Sequence, residues 1–536
     1  MAARPTNLTP VTEHVVPPEF SESRLTIVDQ DQRDLEANKE NVDSEKPSKE
    51  LNVPHGGEGE SALPEDKDTE LLERMDKDWE HDVINPRNWT TGRKWKVALM
   101  VSLYTFISPV SSSMMAPGLA DIAIHYGIES PTILNMTLAI FLLAYATGPL
   151  FLSPLTEIVG RKWVLHISNV FFLVFNLVCA FAPNTASLII FRFLAGLGGS
   201  APVAVGGGVI GDLFSTKDRA LAMAIYTLGP LIGPSVGPIA GGFIAQTIGF
   251  KWTFIVIAIF SGGCAVVGLF TLEETYAPVI RIRRAKKEIK ASGVQTAEHD
   301  ILLEQHLDFK HVLWVNMTRP FDLLFRSFIV FILSFYMALM YGYYYLMFAT
   351  FPILFTETYG FSTGLSGLAY LGPGVGFVIS TIYGAVVANR IYLALVRRNN
   401  GVATPEMRIP PLIIISFFVP VGLLWYGWSA RASVHWIMPI IGAGIFSFSM
   451  MGAFLPITLY LVDSFRYAAS AIAAATVLRS VFGFAFPLFG EQMFDALHNG
   501  PGYTLLAGLA IITGIPFPIW IYFYGEKIRL RSNLNR

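Results

Sequence analysis

The sequence predicts an all-α membrane protein, with twelve transmembrane helices in two halves of six and both termini on the cytosolic side. Three observations carry this reading. Of 536 residues, 52% are hydrophobic and only 15% are charged, with a mean hydropathy of +0.48, whereas soluble domains are nearer a quarter charged. The apolar residues gather into segments of about 20 residues, the length that crosses a hydrocarbon core of roughly 30 Å. One long polar stretch, 273–326, divides these segments six and six.

The elements follow in order. Residues 1–92 are polar and rich in Glu, Asp, Lys, Pro and Ser, too poor in large apolar side chains to bury a core, and read as a disordered cytosolic tail. Met1 to Phe20 has no basic region followed by an apolar core, so no cleaved signal peptide is expected. Trp89 and Trp95 suit the membrane interface. Spans are expected near 95–116, 131–152, 163–182, 187–210, 220–246 and 252–272, which make an N-terminal half over 93–272. A cytosolic linker, 273–326, follows. In it, Arg281 to Lys290 reads either as a surface helix or as a solvated linker. The second half, 327–524, holds spans near 328–355, 365–389, 410–430, 435–460, 468–490 and 502–524, before a cytosolic tail at 525–536. Basic residues set the orientation. Arg161, Lys162, Lys217, Arg219, the 281–290 run, Arg390, Arg397, Arg398, Arg408 and Arg466 fall on one side, and little beyond Lys251 and Arg431 on the other.

Several functions are excluded by what is missing. No phosphate-cradling Gly-x-x-x-x-Gly-Lys-Ser/Thr loop occurs, so ATP is not expected as a partner. Cys179 and Cys264 lie within spans and suit neither zinc nor a disulfide framework. No metal-ligand cluster or nucleophile elbow is present. No enzyme activity, cofactor, metal or nucleic-acid partner is expected. The four glycosylation sequons, at Asn7, Asn88, Asn135 and Asn316, are expected to be unused, because they fall on the cytosolic side or in a span.

The chemistry-bearing residues lie at span ends and bends. Between the second and third spans, Gly160 suits a tight turn, and Glu157, Arg161 and Lys162 put both signs of charge in one short loop. Asp212 ends the fourth span. Arg192 lies about 7 Å of helix rise inside the fourth span, a depth at which a guanidinium is costly and by default functional. Snorkelling to the headgroups is the alternative. The fifth span carries Gly233, Gly237, Pro238, Gly241 and Gly242, whose spacing lets two helix backbones approach closely.

These three patterns resemble signatures of the major facilitator superfamily. The loop matches Gly-x-x-x-Asp-x-x-Gly-Arg-Lys/Arg at Gly160, Arg161 and Lys162, with Ser153 and Glu157 as departures. Arg192 to Ser200 is similar to Arg-x-x-x-Gly-x-Gly-x-Ala, and Gly233 to Gly242 to Gly-x-x-x-Gly-Pro-x-x-Gly-Gly. With Glu273 to Pro278, Pro405 to Arg408, Asp463 to Ala471 and Leu478 to Ser480, the chain over 85–536 resembles the twelve-span drug:proton antiporters of fungi. The resemblance implies that Glu157, Gly160, Arg161, Lys162 and Asp212 form a conformational latch. It implies that Arg192 takes part in proton coupling and that the glycine-rich fifth span marks an antiporter; the carboxylate that carries the proton is expected to be Asp121 near Arg192, or Glu157 and Asp212 at the latch. It also implies that the first, fourth, seventh and tenth spans line a central cavity. There Ser112, Met115, Tyr336, Met340, Tyr344, Phe446 and Met450 would meet a bulky apolar substrate, although about half of such residues would face lipid or protein instead.

The function expected is proton-coupled efflux of hydrophobic or amphipathic small molecules, such as drugs, toxins or fungal secondary metabolites, by alternating access. The alternative is an importer or facilitator of the same fold for a vitamin, nutrient or polyamine. The expected partners are the lipid bilayer, a small-molecule substrate and protons. The expected setting is the plasma membrane, and the expected state is a monomer.

Overall fold

In lipid every backbone polar group needs a partner within the protein, so apolar runs of this length are driven into helices. The computed structural model describes residues 77–531 apart from 216–217, 294, 297–308 and 466–467. Among these residues no strand occurs, and twelve helices are long and apolar enough to cross a membrane. In the first half they are Thr91–Tyr126, Pro131–Val159, Arg161–Ala180, Thr185–Leu213, Leu221–Ile248 and Lys251–Thr271. In the second they are Phe328–Thr358, Thr363–Arg398, Pro405–Arg431, Ile437–Ser464, Ala468–Leu497 and Asn499–Arg529. Their flanks are strongly exposed and apolar, with Ile259, Phe270 and Phe523 bare to the surroundings, as a lipid-facing surface must be.

The first span is interrupted. Its long helix stops at Ser113, a 3-10 turn covers Ala116–Gly118 around Pro117, and a short helix, Leu119–Tyr126, completes the crossing. The fifth helix holds Pro230, Pro234 and Pro238 yet stays helical from Arg219 to Ile248, because close neighbours stabilise the freed backbone.

The folded chain starts earlier than a tail over 1–92 would allow. Residues 77–81 are helical. The Asn85 amide donates to the Trp79 carbonyl (3.0 Å), and Asn88 donates to Glu80 and Asp82 (2.7 and 2.8 Å). This capped knot docks on the linker, where Arg284 pairs with Asp82 (2.5 Å) and Arg281 lies over the Trp79 ring. The linker region 281–290 is a helix, Ala277–Ser292, seated by Val279, Ile282 and Ala285. A second helix, Phe309–Arg326, was not anticipated and packs on the second and eleventh spans. Residues 1–76 and two basic residues used for orientation, Lys217 and Arg466, lie outside the described residues.

The two halves meet along the second and eleventh spans and along the fifth and eighth. Three hydrogen bonds that join them lie at one end of the bundle. Thr132 donates to the Leu488 carbonyl (3.0 Å), Gln492 donates to Thr132 (3.1 Å), and Gln246 accepts from the Gly364 N–H (2.8 Å).

Candidate functional site: charged ends, a glycine seam and an aromatic centre

At the opposite end of the bundle, charge is arranged within each half. Arg161 Nε donates to Asp212 Oδ2 at 2.5 Å, joining the start of the third span to the end of the fourth. Thr275 donates to the same carboxylate (3.2 Å). Glu274 accepts the Arg161 backbone N–H (2.8 Å), satisfying a donor that the helix start leaves open. It also faces Arg283 (3.6 Å), whose Nη2 donates to the Val159 carbonyl (2.6 Å) at the end of the second span. Gly160 is required here twice over. Its φ is +96°, and a Cβ would collide with the Glu274 carboxylate. The Tyr276 ring lies 5.0 Å from the Arg161 guanidinium, and burial pushes its hydroxyl up to about 12. Lys162 sits over Trp163 rather than on Asp212.

The second half repeats this plan. Arg408, at the start of the ninth span, pairs with Asp463 at the end of the tenth (3.0 Å) and lies 3.6 Å above the Tyr392 ring. Glu406 pairs with Arg529 of the twelfth (3.3 Å). Beside the first half's network, Arg93 and Glu273 pair and help line a pocket of about 410 Å³ with Thr90, Gly92, Lys96, Phe270 and Thr271. The Arg93 guanidinium bonded to it holds the Glu273 carboxyl below the ordinary glutamate range.

Arg192 is fully buried. Its Nη1 and Nη2 donate to the carbonyls of Ser111 (3.0 Å) and Ser112 (3.2 Å), and its Nε donates to that of Thr137 (3.4 Å). Phe141 and Phe254 flank the guanidinium at 4.7 and 5.8 Å. The buried environment and inward-turned donors exclude snorkelling. Asp121 is exposed on the short helix after the break, and no ion pair or hydrogen bond joins it to Arg192 among the described residues.

In the fifth span, Gly229, Gly233, Gly237 and Gly241 recur one turn apart and lie against the first span at Phe106, Pro109, Val110 and Met114. Gly242 and Pro238 face another way. A Cβ on Gly242 would come within 2.7 Å of the Thr363 carbonyl, and one on Gly367 within 2.5 Å of the Pro238 carbonyl. This second face is a crossing between the halves.

The centre is aromatic. The Tyr341 and Tyr345 rings of the seventh span lie 4.9 Å apart, tilted at 55°, and Phe454 of the tenth lies 6.2 Å from Tyr341. Tyr345 sits beside Ser112 and Arg192. Tyr145 of the second span shares a hydrogen bond with Ser108 (2.5 Å). Arg479 of the eleventh lies 5.1 Å from the Tyr341 ring centroid and 5.8 Å from that of Phe454.

A model of the Major Facilitator Superfamily matches residues 101–487. The chain belongs to that superfamily. A relative called MFS transporter cpaT, from Aspergillus oryzae, is 40% identical over 91% of this chain and 98% of its own. The efflux pump vrtL of Penicillium aethiopicum is 42% identical over 84% of this chain and 89% of its own. The efflux pump radE of Floropilus chiversii is 38% identical over 85% and 84%. Among solved structures, a partially occluded inward-open conformation of the Escherichia coli xylose transporter XylE aligns with a TM-score of 0.58 at 13% identity, covering 81% of this chain and 98% of that one. That likeness concerns the fold. The protein is thus a multi-pass membrane protein of a family of secondary transporters, with fungal relatives.

As a major facilitator protein it departs from the expected cavity in one place. Tyr336 donates to Ser416 of the ninth span (3.1 Å) and packs on Gly514 of the twelfth, so it faces the flank of its own half. Phe446 has its Cβ against Gly422 of the ninth span. The Tyr336 ring turns away from the centre, because Gly514 admits it on the other side. Tyr344 packs on Tyr345, Phe348 and, in the eighth span, Phe377. Ser112, Met115, Met340 and Met450 are buried. Sequence reasoning passed over Tyr145, Phe454 and Arg479 as site residues, and over Glu274 and the Arg408–Asp463 pair. The usable signal for Arg479 was a lone cation inside an apolar run.

Proposed function

We propose that the protein exports hydrophobic or amphipathic small molecules across the plasma membrane in exchange for protons, as a monomer with both termini cytosolic. The observation that carries this is the asymmetry of the two ends. Backbone-to-backbone crossing at Gly242 and Gly367 and the Thr132 and Gln246 hydrogen bonds tie the halves at one end. At the other end the ion pairs Arg161–Asp212 and Arg408–Asp463 are internal to each half. With basic loops on the cytosolic side, the tied end is the outer one, and the halves rock about the aromatic centre. The names of the vrtL and radE relatives support export, and the apolar, aromatic centre supports bulky substrates.

Asp212 is the proton-sensitive carboxylate in this reading. It holds Arg161 and Thr275 at once, so protonation removes the acceptor that joins the third span, the fourth span and the linker. Glu157, close to Tyr276, completes the charge balance of this latch. Arg192 fixes the first-span break against the second and fourth spans.

The test is transport by the full-length protein in sealed vesicles with an imposed pH gradient. Efflux of fluorescein, a flat aromatic dye that carries a carboxylate, should collapse when the gradient is dissipated, and should lose its pH dependence in Asp212→Asn. Uptake in place of efflux would establish the importer reading. Gradient-independent movement would remove the coupling.

A further inference from the structure

Arg479 sits about 17 Å along its helix from Ala468 by helical rise, near the middle of the eleventh span. Its side chain is half-buried. Its Nε is sealed from solvent and has no hydrogen-bond partner, and no ion pair reaches it among the described residues. Two aromatic faces, Tyr341 and Phe454, are its contacts. Gly483, one turn further along, opens toward Tyr341 and toward Leu142 of the other half. The guanidinium therefore stands at the seam between the halves. Tyr145, from the opposite half, is within electrostatic reach of both Arg479 and Arg192.

The carboxylates of the spans are elsewhere. Asp121, Glu157, Asp212, Glu357, Asp463 and Glu491 lie toward span ends, as do Glu406, Asp495 and Glu526. Arg192 is satisfied by three backbone carbonyls, while among the described residues the Arg479 Nε has no hydrogen-bond partner and the guanidinium lies against ring faces. An ionised group inside a membrane protein is retained at a cost and is expected to have a partner. A guanidinium offers a planar fork of donors matched to a carboxylate.

We propose that Arg479 is the anion-pairing residue of the substrate site, placed between Tyr341 and Phe454 so that a flat aromatic acid is held by its carboxylate and its ring together. The proposal rests on the transport reading above and narrows its substrates to organic acids and other compounds with an anionic group. The missing partner of the arginine is then the substrate itself. This also accounts for a central region with no carboxylate of its own, since one would occupy the guanidinium.

The test uses the purified full-length protein in lipid nanodiscs, with empty nanodiscs as blank. Binding of 1-naphthoate and of its neutral isostere 1-naphthamide is measured by calorimetry. Wild type should bind the acid roughly ten-fold more tightly than the amide, the worth of one charge-assisted interaction. Arg479→Gln should bring the ratio to about one, and Arg479→Lys should leave it at roughly three, because the charge stays while the fork is lost. A wild-type ratio of one, or no measurable naphthoate binding, overturns the proposal. So does an undiminished ratio in Arg479→Gln or, where that variant does not fold, in Arg479→Lys. Vesicles that show no gradient-driven movement of any compound overturn the transport reading instead, and leave the binding ratio to judge the anion site alone.

Discussion

Arg192 closes the broken end of the first span through Ser111: its Nη1 lies 3.0 Å from the Ser111 carbonyl, and its Nη2 takes the next carbonyl in line. The last carbonyls of a helix lack internal partners, and a cation there also meets the negative end of the helix dipole. A residue of the fourth span is thus the C-terminal cap of the first. Replacing it by Ala leaves buried carbonyls bare, and a loss of roughly 2–4 kcal/mol is expected. Arg192→Lys keeps the charge but not the fork. Thermal unfolding in detergent should rank wild type above Lys above Ala. Equal transitions for all three would rule out the cap.

Arg161 and Asp212 are each mostly buried, with side chains 15% and 22% exposed. A double-mutant cycle with Arg161→Gln and Asp212→Asn should give a coupling of about 1–3 kcal/mol in unfolding. Glu274→Gln should weaken the same cycle, since it binds the Arg161 N–H. Additive single effects would show that the pair does not act as a unit.

Two alanine substitutions on neighbouring glycines should have different consequences. Gly241→Ala pushes a methyl into the Met114 carbonyl within one half and should lower stability by roughly 1–3 kcal/mol. Gly242→Ala meets the Thr363 carbonyl of the other half, so the halves part at that end while each stays folded. A cysteine placed at Thr363 should become several-fold more reactive toward a water-soluble maleimide in Gly242→Ala. Unchanged labelling would refute the moving seam.

Glu273 has its pKa depressed chiefly by its hydrogen bond from Arg93. A depressed carboxylate stabilises the fold above its unfolded pKa and loses that contribution as pH falls through the folded value. Wild type should therefore lose more stability than Arg93→Gln between about pH 5 and about pH 3. The effect is small, because both partners are about two-fifths exposed (43% and 41%) and screened. Parallel pH profiles would show that the pair is without effect.

The twelve spans and their division were legible because length and hydropathy alone decide them. Gly160, Arg161 and Asp212 were legible as a motif, and the structure brings them together. The partners that close on them were not. Glu274 and Thr275 lie more than a hundred residues from Arg161, and charge in a polar stretch carries no sign of where it docks. The cavity residues were the least legible. A span that is apolar on all sides gives no period to say which face turns inward. Tyr336 therefore looked the same as Tyr341, and only Gly514, which admits the Tyr336 ring on the far side, separates the two.

The fifth span has one face sealed to the first span and another, marked by Gly242, laid against the eighth. The first is a weld and the second a door. A flat apolar molecule that slips between Gly242 and Gly367 would act as a doorstop. It would hold the halves apart at that end and halt the cycle without entering the substrate site, so mutations that change substrate preference at the aromatic centre would give no resistance to it.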